Sequence, residues 1–212
     1  MYLDGLQHFG RDMGSPVRIV SGSARGTRLA GLAGKDIRPT SDRVREAIFS
    51  IIYSRLGELT GKSVLDLYAG TGALALEALS RGAQRAVVID AARQAIRTIE
   101  FNARACRLAE GVQILCGTVA EQLARLPEDQ PFDLIFFDPP YDKGLVEKTL
   151  QLIGDLDVLA AGGLVCAESS ARESIPTIVA GQGATLVLAD SRIYGATAVH
   201  FFTHSDAEDS HE

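Results

Sequence analysis

No window of eighteen or more uninterrupted apolar residues occurs in this chain, which rules out the usual helical membrane span. The opening residues lack a basic-then-apolar leader, so a cytoplasmic protein is expected. Three cysteines, Cys106, Cys116 and Cys166, have none of the short spacings of a zinc site or redox pair. They read as buried free thiols of a reducing compartment. No internal repeat or low-complexity stretch is present. An excess of positive charge is missing too: the formal net charge is −6, which taken alone argues against a nucleic-acid partner.

The distribution of that charge reverses the argument. Between Val17 and Arg45 stand Arg18, Arg25, Arg28, Lys35, Arg38, Arg43 and Arg45 against only Asp36 and Asp42, a local excess of +5. A basic stretch on an otherwise acidic chain is the footprint of nucleic-acid binding. With 212 residues, 46% of them apolar, the chain can bury a core without metals or disulfides. The expected division is a disordered extension over 1–16, a basic hairpin and helix facing nucleic acid over 17–57, a main domain over 58–204, and a disordered acidic tail over 205–212.

Val17 to Ser21 and Thr27 to Ala30 flank a Gly/Ser/Ala/Arg turn and predict a small hairpin whose loop holds Arg25. After Arg38-Pro39-Thr40, a cap at Thr40 or Ser41 opens a helix to about Arg55, with Val44, Ile48, Ile51 and Ile52 on one face. From Ser63 onward, apolar runs at 63–67, 85–90, 112–116, 132–138 and 163–168 alternate with amphipathic stretches near 72–81, 92–107, 119–125 and 145–153. That alternation predicts βαβ units and a parallel sheet. Two further strands, 184–189 and 196–203, are joined by Asp190 to Gly195 and are expected to pair antiparallel. The expected architecture is therefore α/β: a Rossmann-like, seven-stranded, mostly parallel sheet with an antiparallel C-terminal hairpin and a small N-terminal hairpin and helix.

Three motifs carry chemistry. In Val64-Leu65-Asp66-Leu67-Tyr68-Ala69-Gly70-Thr71-Gly72, an apolar strand containing an acid runs into a glycine turn that opens a helix. Gly70 and Gly72 let backbone approach a ligand, the helix start favours a carboxylate or phosphate, and Asp66 can accept from an ammonium group. Ala75 stands where the dinucleotide fingerprint has its third glycine. One βαβ unit later Asp90 ends a strand, placed to take both hydroxyls of a ribose. Each acid alone is equally well a helix cap or a solvated strand end; together at one sheet edge they favour a nucleoside-containing cofactor. In the third motif a buried strand meets Asp138-Pro139-Pro140-Tyr141. The prolines stiffen the loop and remove amide donors. The Asp138 carboxylate and Pro139 carbonyl can accept from an NH₂ group while Tyr141 offers its face to a planar base. The competing reading is a tight turn with Tyr141 in the core. Acids of the proposed site have no nearby histidine, so no metal is expected.

These motifs resemble class I methyltransferases that modify exocyclic amines. More narrowly, Arg18-Ile19-Val20-Ser21-Gly22, Arg25-Gly26, Arg38-Pro39-Thr40, Asp42-Arg43-Val44-Arg45-Glu46-Ala47-Ile48-Phe49 and Tyr194-Gly195 are similar to the RsmD-type family of 16S ribosomal RNA guanine-N2 methyltransferases, over about residues 17 to 203. The resemblance implies methyl transfer from S-adenosylmethionine to the N2 of guanine 966 on the small ribosomal subunit, by a monomer. It implies that Asp66, Tyr68, Gly70, Gly72, Asp90, Thr118 and Asp138 serve the cofactor and that Asp138, Pro139 and Tyr141 hold the target base. Thr40, Asp42 and Arg43 are implied at the active-site mouth, with Arg18, Arg25, Arg28 and Arg38 toward RNA. Cys116-Gly117-Thr118 departs from relatives that carry an acid after the glycine; Thr118 or the Val119 amide is expected to substitute. The alternatives are adenine N6 or a protein glutamine as substrate, an RNA-binding protein without cofactor, and a nucleotide-dependent oxidoreductase.

Overall fold

The computed structural model describes residues 17–32, 42–141 and 144–205. Expectations for 1–16, for Arg38 and Thr40, for the cap at Thr40 or Ser41, and for the acidic run after Ser205 lie outside those residues. The described residues open with a hairpin around residues 19–29, followed by α1 (Asp42–Leu56) and β1 (Ser63–Leu67). Then α2 (Ala73–Ser80), β2 (Arg85–Asp90), α3 (Arg93–Ala105), β3 (Val112–Cys116), α4 (Val119–Leu123), β4 (Phe132–Phe137), α5 (Leu145–Leu156) and β5 (Leu159–Ser170) alternate. The chain closes with β6 (Ile178–Ala180), β7 (Thr185–Tyr194) and β8 (Thr197–His204).

The strands form one sheet in the order β3-β2-β1-β4-β5-β8-β7-β6, parallel from β3 to β5 and antiparallel thereafter. Going from β1, the chain first builds outward through β2 and β3, then returns to β4 on the other side of β1. Such a switch point opens a crevice beyond the carboxyl ends of the central strands. The sheet has one strand more than the seven expected: β6 is a three-residue edge, too short to show a period. The second difference is in the final hairpin. The stretch expected as a loop, Asp190 to Gly195, is strand up to Tyr194, and the turn is only Gly195-Ala196, with Gly195 at φ 67°. Asp190, Ser191 and Arg192 read as loop because they are polar, but they follow a register shift after Leu188 and continue the pairing with β8.

Strand side chains alternate between two cores, which explains why the strands read as unbroken apolar runs. Val64, Val88, Leu134, Phe136, Cys166 and Phe201 pack with the hairpin, α1, α2 and α3, whereas Leu65, Ile89, Ile135, Phe137, Val165 and Phe202 pack toward α4 and α5.

The N-terminal hairpin is fastened to α2 by polar groups. Buried Glu77 accepts from the amides of Val20 at 2.7 Å and Ser21 at 2.9 Å and from Arg81 Nε at 2.7 Å. Ser80 donates its hydroxyl to Ser21 O and accepts from the Ala24 amide, and its carbonyl accepts from Ser23 N at 2.7 Å. Arg45, 1% exposed, reaches from α1 to Arg18 O and Asp42, each at 2.7 Å. Such buried charges persist only because each finds partners. Gly22, at φ 83°, lies so close that a Cβ there would stand 1.7 Å from Ser80 O.

Candidate active site

Three carboxylates converge on the crevice from neighbouring strands. Asp66 lies opposite Val88 of β2 and Phe136 of β4, so Asp90 and Asp138 each stand two residues farther along their strands. At about 3.3 Å per residue, Asp66 forms the floor and the other two the rim. No arginine, lysine or histidine among the described residues forms an ion pair with any of the three.

Asp66 is 3% exposed and accepts one hydrogen bond, from Ala75 N at 3.2 Å in the first turn of α2. Burial pushes its carboxyl up to about 7; the Ala75 amide opposes this, and the charges of Asp90 and Asp138 reinforce it. Asp90 holds the turns on either side of it, Oδ2 accepting from Gly70 N at 2.9 Å and Oδ1 from Ala92 N at 2.8 Å. Each oxygen keeps a further lone pair for a ligand hydroxyl. Gly70 and Gly72 take φ 57° and 74°, and a Cβ on Gly72 would press to 3.3 Å on Ile99 of α3, so the turn lies flat against that helix.

Tyr68 also has a left-handed backbone, φ 58°, and its hydroxyl bonds Thr149 of α5 at 3.1 Å. Its side chain thus turns toward the α4 and α5 layer, away from the Asp66 side. Gly117 N donates to Asp90 O at 3.1 Å, which brings Thr118 beside the rim. There the Thr118 hydroxyl accepts from Glu121 N while Glu121 accepts from Thr118 N, a capping box for α4.

In the Asp-Pro-Pro-Tyr loop, Asp138 opens onto the crevice with protein crowded around its other sides, and that enclosure lifts its carboxyl to about 6. Pro139 is buried, and Tyr141 is 39% exposed with its hydroxyl 3.3 Å from Thr197 at the start of β8. The loop is thus anchored to the final hairpin while Tyr141 remains partly exposed.

The basic residues separate into groups. Arg18 Nε donates to Asp42 at 2.8 Å, tying the hairpin to the start of α1, and Arg43 is exposed beside them. Arg28 is exposed and bridges Arg18 through backbone pairing. Arg25 stands apart, in a surface groove of about 390 Å³ with Glu46, Ser50 and Arg81. That groove is at the end of α2 remote from the glycine turn.

Sequence reasoning missed the polar residues that hold these parts together: Arg45, Glu77, Ser80 and Asn102. Asn102, fully buried, sits among Ala95, Thr98, Ile99 and Ala103 on the inner face of α3. A lone amide on an otherwise apolar helix face was the available signal.

Comparison with known proteins gives consistent relatives. The family described as Conserved hypothetical protein 95 matches residues 17–203. Ribosomal RNA small subunit methyltransferase D of Escherichia coli is 34% identical, over 77% of this chain and 80% of that protein. The YlbH protein of Bacillus subtilis is 33% identical over 88% of this chain and 98% of its own. Among solved structures, yhhF of Escherichia coli superposes with a TM-score of 0.76 at 31% identity, covering 90% of this chain and 98% of that one.

Proposed function

This chain belongs to that family, the RsmD-type class I methyltransferases, and from that premise we propose that it transfers a methyl group from S-adenosylmethionine to the exocyclic N2 of guanine 966 in 16S RNA. The observation that carries the reading is the set of three carboxylates, none ion-paired to a cation among the described residues, around a glycine turn, with an acceptor-rich Asp-Pro-Pro-Tyr loop at its rim. The similarity to a small-subunit rRNA methyltransferase supports the substrate class.

The residues present fit the cofactor. S-adenosylmethionine supplies a methyl group on a positively charged sulfur, together with an ammonium group and a ribose diol. Asp66, buried and without an ion-pair partner among the described residues, suits the ammonium end; Asp90, with both oxygens bound to backbone amides, is held rigidly to receive the diol. Gly70 and Gly72 clear the approach. Thr118, beside Asp90, is assigned to the adenine side.

Catalysis in this reading is positioning with electrostatic help. Asp138 and the Pro139 carbonyl accept the two N–H bonds of the target amine, which leaves its lone pair free to attack. Tyr141 supports the base from one face. At neutral pH Asp138 is mostly ionised, its stronger accepting form, and it can hold the proton that the amine gives up as it is methylated. Asp42 and Arg43 serve the active-site mouth, and Arg18, Arg25 and Arg28 take RNA phosphates; Thr40 and Arg38, outside the described residues, are assigned to the same RNA-binding role from the sequence alone. The enzyme acts as a cytoplasmic monomer on the small ribosomal subunit.

The test is methyl transfer from S-adenosylmethionine to small subunits from cells lacking this protein, with nucleoside mass spectrometry. N2-methylguanosine at one position is the expected product. N6-methyladenosine, or label in protein, would replace the assigned substrate.

A further inference from the structure

The hairpin ladder ends where Leu29 N donates to Val17 O. The next residue has no strand partner among the described residues; its backbone is taken by a side chain. Asn102 Oδ1 accepts from Ala30 N at 2.7 Å, and Asn102 Nδ2 donates to Ala30 O at 3.1 Å and to Thr71 O at 3.0 Å. Thr71 is the residue between Gly70 and Gly72. One fully buried amide therefore clamps both backbone groups of Ala30 and the middle of the glycine turn, spending three of its four hydrogen-bonding positions. Two residues on, Leu32 reaches the turn itself: its Cδ1 lies 4.0 Å from where a Gly70 Cβ would stand. The segment leaving the basic hairpin is thus a wall of the cofactor crevice, hung from Asn102.

We infer that Asn102 is a positioning residue that couples the cofactor turn to the basic N-terminal segment, so that cofactor binding tightens Ala30–Leu32. The inference rests on the methyltransferase reading for the identity of the ligand at Gly70–Gly72. Its physical basis is connection through one buried amide bonded to both segments. Any shift of the Thr71 carbonyl must either drag the amide, and with it Ala30, or break a hydrogen bond away from water, where a lost bond is costly. Linkage is reciprocal: whatever the cofactor gains by fixing this segment, a ligand that fixes the segment returns to the cofactor. Arg28 lies two residues before Ala30, so RNA held there is such a ligand.

Hydrogen exchange on the full-length protein, with S-adenosylhomocysteine as the probe, tests this without any turnover. In the wild type, amides of residues 29–32 should exchange at least fivefold more slowly when the ligand is bound. Unchanged exchange in the liganded wild type would overturn the inference. Asn102→Asp keeps an acceptor for Ala30 N but loses both donated bonds; its ligand-dependent protection of 29–32 should vanish and its affinity for S-adenosylhomocysteine fall about tenfold. Leu32→Ala, a milder change, should weaken binding severalfold with the melting temperature intact. Protection retained in Asn102→Asp would make the residue merely structural. If the RNA assignment alone is mistaken, these exchange results stand while RNA fails to tighten the ligand.

Discussion

Asp66→Asn should make the ligand-free protein more stable, and by an amount that depends on pH. Burial and the two neighbouring acids raise the folded carboxyl from 3.8 to about 7. At pH 8 the group is charged in both folded and unfolded chains, and the three-unit difference means that keeping the charge inside costs about 4 kcal/mol. At pH 5 the folded carboxyl is protonated while the unfolded one is mostly ionised, and the cost falls to about 2 kcal/mol; by pH 3 it is gone. The sign follows from proton counting. Between these pH values the folded state holds the extra proton, so wild-type stability declines as pH rises. Asparagine is neutral throughout and its amide oxygen still accepts from Ala75 N, so its advantage grows from pH 3 to pH 8. For a chain of this size, 4 kcal/mol corresponds to a melting-temperature gain on the order of 10 °C. Thermal unfolding of both proteins by circular dichroism at pH 8, 6.5 and 5, without ligand, measures it. An offset that does not change with pH, or a variant less stable at pH 8, would refute the assignment of a strained, uncompensated carboxylate. The same substitution should abolish measurable S-adenosylmethionine binding by calorimetry, because the cation loses its counter-charge.

Asp138→Ala should lower turnover by a factor of roughly 10² to 10⁴ with cofactor affinity within about threefold, and wild-type turnover should fall below about pH 6, where the protonated carboxyl accepts more weakly and can no longer take the amine's proton. Single-turnover rates across pH would show a flat profile if the group were elsewhere. Replacing Arg25 and Arg28 by glutamate should weaken RNA binding and flatten the slope of log affinity against log salt by about 2, measured by fluorescence anisotropy; an unchanged slope moves the RNA surface elsewhere. Gly22→Ala places a Cβ inside the backbone of Ser80 and should undock the hairpin, costing at least about 2 kcal/mol and exposing Arg25 to trypsin; a protease-resistant variant would contradict the close approach.

Much of the fold was legible because its local signals agreed. Apolar runs separated by amphipathic stretches of crossover length placed β1 to β5, and each acid of the crevice was visible as a polar residue inside or ending such a run. What escaped was encoded in contacts between distant segments. Glu77 and Asn102 look like ordinary helix polarity until Val20, Ser21 and Ala30 are brought to them. Arg45 counts as surface charge in a sequence, but in the structure it is among the most enclosed side chains. β6 has only three residues, and the outer half of β7 carries Asp190, Ser191 and Arg192, so neither shows the alternation that identifies a half-buried strand.

The hairpin's dependence on α2 and α3 also bears on the order in which the molecule assembles. Val17–Leu32 leaves the ribosome early, yet its partners Glu77, Ser80 and Asn102 lie 56 to 72 residues later. Its own backbone offers one isolated bridge and a few turn bonds, too little to hold a structure. During synthesis these residues must wait, solvated and basic, until the first two βα units have emerged and closed over their core. Such long-range closures come late because their entropy is lost before their contacts form. The basic hairpin and the wall of the crevice are thus completed together, in a final docking step.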